Sequence, residues 1–361
     1  MRGIAFTGGG TGGHIYPGLA VAACIRRQTG RRVFWIGSGR GMDRSLVEGA
    51  GLEFFGVPSG KLRRYFSPRN FFDIFKVAAG FFAARRILKR EKPALLFSKG
   101  GFVSVPPCAA AASLGIPVFT HESDFSPGLA TRINARFAEK IFTAYEETAA
   151  FFPEPLRRKI RRVGNPVRPG FRSASAGAGR AFLGLGEGDR ILLVLGGSQG
   201  AREINDLVRE ALPELTKQYV VVHQTGPAVE WDLPPSARYR PYPYIGDEMP
   251  QVIAAAELVL GRSGAGTVWE CATVGRPMVL IPLRGSGTRG DQEENARFFE
   301  KSGAALVLRD VSPRSLGEAA ASIAENEEKR SSMAAASARI GSPDGAALIA
   351  GAVLEYIKDR L

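Results

Sequence analysis

Cysteine, histidine and long apolar runs are scarce in this chain, and each shortage removes a class of protein. The three cysteines, Cys24, Cys108 and Cys271, are scattered, odd in number and form no C-x-x-C. That excludes a disulfide framework and a zinc knuckle and leaves them as buried small hydrophobes. The three histidines, His14, His121 and His223, lack ligand spacing, and no D-x-D occurs, so neither a metal nor another cofactor is expected. No apolar run reaches the roughly 18 residues of a spanning helix. Met1-Arg2 leads straight into a strand, so no signal peptide is expected either. A Walker A loop is also missing, because no G-x-x-x-x-G-K-[ST] is present.

What is present is an ordinary soluble composition, 45% hydrophobic and 23% charged, over 361 residues. At roughly 150 residues per domain this length implies two domains. Lys and Arg number 48 against 35 Asp and Glu, a net charge of +13. An excess of that sign calls for an anionic partner: nucleic acid, a phosphorylated ligand or an acidic membrane.

The chain reads as two similar halves. The run from Arg2 to Thr7 is β-prone and ends in a glycine turn, Gly8 to Gly13, after which His14 to Arg27 has helical spacing with Ile15, Leu19, Ala22, Ala23 and Cys24 inward. The order recurs at the apolar strand Ile191 to Leu195, the turn Gly196 to Gly200 and the helical segment Arg202 to Leu215. Further buried strands are expected at Val33 to Ile36, Ala94 to Phe97, Pro117 to Thr120, Val220 to His223, Leu258 to Leu260 and Met278 to Ile281. Strands alternating with helices predict α/β architecture with parallel sheets covered on both faces. A boundary is expected within Val163 to Ala181, where Gly, Pro and Ser interrupt every periodicity.

Gly8, Gly10 and Gly13 satisfy G-x-G-x-x-G, yet a dinucleotide is the weaker reading. Such sites use an acid at the end of the second strand to hold the ribose, and here that stretch is Ile36-Gly37-Ser38-Gly39-Arg40. Only the phosphorylated cofactor, held by an arginine such as Arg40, stays open. Two more glycine turns follow expected strands, Ser98 to Ser104 and Gly261 to Thr267, the latter opening a helix near Thr267. Closely spaced glycines bring backbone N–H groups up to an anion, and a following helix adds its positive end, so a phosphate or diphosphate fits these turns.

In chain order, GGGTGGHIYPG (8–18), SKGGFVSVP (98–106), HESDFSPG (121–128), GNPVR (164–168), GGSQGA (196–201), RSGAGTVWE (262–270) and DQEENA (291–296) resemble the motifs of the MurG family. Members of that family move N-acetylglucosamine from UDP-GlcNAc to the C4 hydroxyl of the muramic sugar of lipid I (undecaprenyl-pyrophosphoryl-MurNAc-pentapeptide), giving lipid II for peptidoglycan. The resemblance implies a GT-B fold, two Rossmann-like parallel-sheet domains separated by a deep cleft. It further implies an acceptor-binding, membrane-associating domain over 1–165, a UDP-GlcNAc domain over 166–340, and a helix over 341–361 packing back on the first domain.

Residue by residue, the resemblance implies that Ala265, Gly266, Thr267 and Val268 lie under the donor diphosphate while Glu270 accepts both ribose hydroxyls. Two vicinal hydroxyls suit a bidentate carboxylate. It gives Ser198 a phosphate contact, Ile245 a backbone contact to uracil, Gln292 the GlcNAc hydroxyls and Arg168 the leaving pyrophosphate. Thr11, Gly12, Gly13 and Asp124 complete the donor set, and Gly12, Gly13, Gly100 and Gly101 hold the acceptor pyrophosphate. His14 and Glu122 are both candidate bases, unranked, with Asp124 a third. The chemistry implied is direct displacement with inversion, without a covalent intermediate. Asp124 and Phe102 stand where the family often has Asn and Tyr, so no amide or phenol contact carries over there. Two other readings remain open: another UDP-GlcNAc enzyme of this fold, such as an epimerase or a transferase to a different lipid, and a non-catalytic UDP-sugar-binding membrane scaffold.

Much of the positive charge is local. Between Lys61 and Arg90 nine Lys or Arg (61, 63, 64, 69, 76, 85, 86, 89, 90) face one acid, Asp73, and seven aromatics interleave: Tyr65, Phe66, Phe71, Phe72, Phe75, Phe81 and Phe82. A basic amphipathic helix lies on an anionic leaflet, so peripheral attachment to the cytoplasmic face of the cell membrane is expected. A nucleic-acid surface is the rival reading, but no nucleic-acid fold motif accompanies it. Arg157, Arg158, Lys159, Arg161 and Arg162 either extend the same face or are simply solvated.

Overall fold

Wholly apolar strands must be covered on both faces, and two sheets in the protein achieve this. The computed structural model describes residues 2–39, 41–60, 69–197, 199–285 and 288–359, with the backbone alone at 69–72. Contacts divide the chain into one unit of Met1–Arg168 plus Pro343–Leu361 and a second of Pro169–Ser342.

In chain order the first unit runs β1 (Ile4–Thr7), α1 (Tyr16–Thr29), β2 (Val33–Ser38), α2 (Asp43–Gly49), β3 (Glu53–Val57), α3 (Arg69–Glu91), β4 (Leu95–Ser98) and α4 (Val105–Ser113). It continues with β5 (Val118–Glu122), α5 (Leu129–Phe137), β6 (Ala138–Thr143), α6 (Glu154–Arg157) and β7 (Ile160–Arg162). The seven strands form one parallel sheet in the order β3-β2-β1-β4-β5-β6-β7. Side chains alternate across it as the pleat requires. Ile4, Phe6, Trp35 and Phe97 pack with Val21 and Ile25 of α1, while Ala5, Phe34, Ile36 and Leu96 face Ala84 and Leu88 of α3 and Cys108 of α4. Each such large side chain, fully buried, contributes about 1.5–3 kcal/mol.

The expected helix from His14 begins later. Gly12–His14 forms one 3-10 turn, α1 starts at Tyr16 with Pro17 in its first turn, and it stops at Gly30 in the left-handed conformation (φ 61°). Ala23, expected inward, is exposed, because the buried stripe runs through Val21, Ala22, Cys24 and Ile25.

The second unit contains α7 (Ala176–Leu183), β8 (Ile191–Leu195), α8 (Arg202–Leu215), β9 (Val220–Gln224), β10 (Tyr239–Tyr242), α9 (Met249–Ala255) and β11 (Leu258–Gly261). There follow α10 (Ala265–Thr273), β12 (Met278–Leu280), α11 (Asp291–Lys301), β13 (Ala305–Val307), α12 (Pro313–Ala324) and α13 (Glu327–Gly341). Its six parallel strands run β10-β9-β8-β11-β12-β13. Leu192, Val194, Val221, Leu258 and Leu260 pack on Ile204, Val208 and Ala211 of α8 and on Leu316 and Ile323 of α12.

The chain then returns to the first unit as α14 (Gly345–Lys358), capped by Asp344, whose carboxylate accepts the Ala347 N–H at 3.0 Å. Ala346, Ile349, Val353 and Ile357 join the core that holds Trp35 and α1. Ile349→Ala is therefore expected to cost unit 1 about 2–5 kcal/mol. Urea unfolding followed by tryptophan emission checks it: the transition reported by Trp35 moves to lower urea, and that reported by Trp231 and Trp269 in unit 2 stays.

Candidate functional site

Both sheets reverse their strand order between two central neighbours, β1 and β4 in unit 1 and β8 and β11 in unit 2. Connections leave the two strands of such a pair toward opposite faces, opening a crevice at their carboxyl ends where open α/β sheets bind ligands. The four glycine turns follow these four strands.

In unit 1 the first turn is moulded on Asp43, the opening residue of α2. Its carboxylate is 1% exposed and accepts the N–H groups of Gly10 at 3.0 Å and Ser38 at 3.1 Å. A Cβ on Gly9 would collide with that carboxylate, and Gly10, at φ 88°, has the Phe102 ring 2.7 Å from where its Cβ would stand. Only glycine fits these two places. Burial pushes the Asp43 carboxyl above its usual range, against the pull of the two N–H bonds. From below, Trp35 Nε1 donates to the Gly8 carbonyl at 3.0 Å.

The second turn meets the first. The His14 ring lies over Gly101, its Cδ2 3.0 Å from that residue's Cβ position. The Gly100 N–H donates to Ser98 Oγ at 3.2 Å, and the Asn134 amide bridges Ser98 Oγ (3.1 Å) and Ser104 Oγ (2.7 Å). Among the described residues the N–H groups of Gly12, Gly13 and Gly101 find no acceptor. Of the four glycines expected at the acceptor pyrophosphate, Gly100 thus has its N–H committed within the chain.

Beside them, β5 delivers His121, Glu122 and Asp124. Both oxygens of the buried Glu122 are used: Oε1 accepts the N–H groups of Ser123 (2.9 Å) and Asp124 (3.0 Å), and Oε2 accepts that of Gly128 (3.1 Å). His121 Nε2 bonds the Gly164 carbonyl at 3.0 Å, and Ser123 Oγ bonds Asn165. These two bonds fasten 121–128 to 164–168. Burial, aided by the positive charge of Lys99, holds His121 neutral with its pKa well below the ordinary value. The fastening places Arg168 with its guanidinium 5.1 Å above the Tyr16 ring. Arg168, expected within the 166–340 domain, is the last residue of unit 1 and lies beside the Gly12 turn; Tyr16 Cε2 is 3.1 Å from where a Gly12 Cβ would be.

In unit 2, α10 begins at Ala265, two residues before the expected Thr267, behind Gly264, with no side chain capping it. The first-turn N–H groups of Ala265, Gly266 and Thr267 and the positive end of the helix are the features that hold an anion. A Cβ on Gly264 or Gly266 would meet nothing within 4 Å. Glu270, half-buried, lies one turn further along. Gln224 links the other parts: its Oε1 accepts the Ile245 N–H at 2.9 Å, and its Nε2 donates to the Gly197 carbonyl at 3.2 Å. The Ile245 N–H is therefore taken, and its carbonyl is the backbone group it can offer a base. Ser198 lies outside the described residues. Gln292 Oε1 accepts the Leu283 N–H at 3.0 Å, which turns its amide group to other partners. Ser263 Oγ to the Gln292 carbonyl (2.7 Å) and Asn295 Nδ2 to the Ser263 carbonyl (3.1 Å) tie the turn after β11 to α11.

Several of these supports leave little mark in the sequence. Asp43 is the single acid between Gly37 and Val47, and only its first-turn position in a helix signals it. Gln224 and Asn134 are unmarked polar residues, and Asn295 lies inside the 291–296 motif without a role of its own there; the partners of all three lie far off in sequence. Among the described residues no group of three or more His, Cys, Asp or Glu could hold a metal ion.

The glycosyltransferase family 28 N-terminal domain matches residues 4–143, and the family's C-terminal domain matches residues 191–349. A Treponema denticola protein named UDP-N-acetylglucosamine–N-acetylmuramyl-(pentapeptide) pyrophosphoryl-undecaprenol N-acetylglucosamine transferase is 51% identical over 335 residues, 87% of this chain and 86% of that one. A Staphylococcus carnosus protein of the same name is 42% identical over 310 residues, 85% and 84% of the two chains. The crystal structure of Acinetobacter baumannii MurG superposes with a TM-score of 0.74 at 26% identity, covering 98% of this chain and all of that one. A UDP-N-acetylglucosamine 2-epimerase from Listeria monocytogenes shares the fold at a TM-score of 0.69 and 13% identity.

A buried histidine braces the unit 2 turn and gives it a pH dependence. His223 pairs Nδ1 with the Tyr239 hydroxyl and Nε2 with Asn205 Oδ1, both at 3.1 Å, and Asn205 Nδ2 donates to the Thr225 carbonyl at 2.9 Å. Burial pushes its pKa from 6.5 down to about 4. The folded state thus binds fewer protons than the unfolded one between these values, so stability is full above pH 6.5 and is lost as pH falls toward 4. The expected loss is about 3 kcal/mol in unit 2. Denaturation midpoints across that range check it, and His223→Gln should flatten the profile.

Proposed function

The chain belongs to glycosyltransferase family 28, among the MurG transferases, and from that premise we propose how its residues carry out the reaction. It is an N-acetylglucosaminyltransferase that takes the sugar from UDP-GlcNAc and passes it to undecaprenyl-pyrophosphoryl-MurNAc-pentapeptide. The epimerase shares only the fold. The observation that carries the donor assignment is the uncapped first turn of α10 at the carboxyl end of β11, with Glu270 one turn on.

In this reading the N–H groups of Ala265, Gly266 and Thr267, with Val268 behind them, hold the UDP diphosphate. Glu270 accepts the ribose hydroxyls, the Ile245 carbonyl meets the uracil, and the Gln292 amide meets the sugar. The phosphate contact that the family likeness gives Ser198 falls on a residue outside the described ones. In unit 1 the free N–H groups of Gly12, Gly13 and Gly101 receive the acceptor pyrophosphate, with Thr11 at the rim of that turn. The C4 hydroxyl oxygen attacks the anomeric carbon as the C1–O bond to the β-phosphate breaks. The electron pair leaves with UDP, the hydroxyl proton passes to a base, and the configuration at C1 inverts. Glu122, whose oxygens already accept three N–H groups, holds the 123–128 turn in place. The proton falls to His14, at the junction of the two glycine turns, with Asp124 on the same side of unit 1. The α10 dipole stabilises the charge on the leaving diphosphate, and Arg168, stacked on Tyr16 beside the Gly12 turn, offers its guanidinium to a pyrophosphate from unit 1.

We further propose that α3 docks the protein on the cytoplasmic face of an anionic membrane, where the lipid acceptor lies. Ile74, Phe75 and Phe82 are 55%, 60% and 68% exposed beside exposed Lys76, Arg85, Arg86 and Lys89, whereas Phe81 packs partly on the core. Lys61, Arg63, Arg64, Tyr65 and Phe66, and the side chains of Arg69, Phe71 and Phe72, lie outside the described residues. Among the described residues no helix is long and apolar enough to cross a membrane.

UDP release measured with and without the lipid acceptor tests the reaction, which must depend on the acceptor; release indifferent to it would overturn the transferase reading. Glu270→Ala is expected to weaken UDP binding about 100-fold by removing two charge-assisted hydrogen bonds. His14→Ala should leave UDP binding intact and lower kcat by roughly 10²–10⁴. For the membrane, co-sedimentation with phosphatidylglycerol vesicles is expected for the wild type at low salt and not for Phe75→Ser/Phe82→Ser.

A further inference from the structure

Lys99 occupies an unusual place for a lysine. It stands between the end of β4 and Gly100-Gly101, is 1% exposed, and among the described residues is the one lysine or arginine that is buried. Its backbone N–H closes on the Thr7 carbonyl at 2.8 Å, and its Cβ lies 3.2 Å from where a Gly8 Cβ would be and 3.6 Å from that of Gly18. The side chain therefore starts directly beneath the first glycine turn and the opening of α1.

Among the described residues the Lys99 ammonium makes no hydrogen bond and no ion pair. Glu122 and Asp124 act on it only through space, and burial keeps its pKa below the ordinary lysine value. Glu122 shares its charge with three backbone N–H groups. A buried ammonium with no direct hydrogen-bonded partner is costly, and the cost falls when an anion arrives next to it. The glycine turn that its Cβ touches at Gly8 carries two N–H groups that find no acceptor, those of Gly12 and Gly13, and a third, that of Gly101, follows Lys99 by two residues.

We propose that Lys99 is an affinity-determining residue for the acceptor, its charge fixing a diphosphate on the unit 1 glycine turns. The inference rests on the transferase reading above and adds to it a side-chain cation where the backbone alone had been assigned. A diphosphate carries more negative charge than three amide dipoles offset. A cation held rigidly in low dielectric acts on it more strongly than a solvated surface lysine would. The assignment also separates the two substrates, because Lys99 belongs to unit 1 and the UDP site to unit 2.

The test is steady-state kinetics of Lys99→Met and Lys99→Gln, with UDP-GlcNAc and a short-chain prenyl-pyrophosphoryl muramyl acceptor, and with inorganic pyrophosphate as inhibitor. The acceptor KM is expected to rise at least tenfold in both variants, with the donor KM unchanged and kcat within about threefold. Pyrophosphate should compete with the acceptor in the wild type, and its inhibition constant should rise in parallel in the variants. An unchanged acceptor KM and pyrophosphate constant would overturn the proposal and make Lys99 a counter-charge to Glu122 and Asp124 only. So would an effect confined to the donor KM. Should neither variant fold, the wild type decides: pyrophosphate that competes with UDP-GlcNAc and not with the acceptor overturns the proposal, and the opposite pattern supports it. Absence of acceptor-dependent UDP release in the wild type would instead fail the transferase reading itself.

Discussion

A backbone N–H at the carboxyl end of a parallel strand, where the chain turns through glycine into a helix, needs an acceptor. The rest of this molecule is organised around which N–H groups the protein satisfies and which it leaves. Asp43 takes those of Gly10 and Ser38, Ser98 takes that of Gly100, Gln224 takes that of Ile245, and Glu122 takes three in one loop. Each of these bonds fixes a loop whose remaining donors face a crevice. The donors left over, at Gly12, Gly13 and Gly101 in unit 1 and in the first turn of α10 in unit 2, are those that a diphosphate would complete.

The same solution occurs twice with different supports. Unit 1 moulds its turns on a buried carboxylate and a buried ammonium, Asp43 and Lys99, whereas unit 2 uses amides and a neutral imidazole, Gln224, Asn295 and the Asn205–His223–Tyr239 chain. The difference has a physical consequence. Charged supports tie the first crevice to the electrostatics of its ligand, while neutral ones hold the second by geometry and expose it to protonation of His223. Arg262, bonded to Glu203 at 2.6 Å and to the Ile281 carbonyl at 3.2 Å, spends its charge inside unit 2 and so does not serve the ligand.

The central strands were legible because they are unbroken apolar runs, and the glycine turns because nothing else places so many glycines between a strand and a helix. β3, β6, β7, β10 and β13 were not anticipated. Four of them lie at sheet edges, where one side is solvated and the sequence turns mixed, as in Glu53-Phe54-Phe55 or Tyr239-Arg240-Pro241-Tyr242; β6 begins Ala138-Glu139-Lys140, polar enough to hide its apolar end. The positions of the motif residues followed from family likeness, but their partners did not. Glu122 looks like a base in sequence and, in three dimensions, is enclosed by N–H groups. Arg168 reads as part of the second half and stacks instead on Tyr16 of the first. Hydrogen bonds between residues 20 to 40 apart, such as Gln224 to Gly197 or Asn134 to Ser98, leave no local pattern.

The direct measurement is a crystal structure of the protein with UDP and a pyrophosphoryl muramyl acceptor bound together. One diphosphate is expected within hydrogen-bond distance of the Ala265 to Thr267 amides and the other on the amides of Gly12, Gly13 and Gly101. A diphosphate bound away from either set, through surface side chains alone, would contradict the view that unsatisfied strand-end amides define both substrate sites.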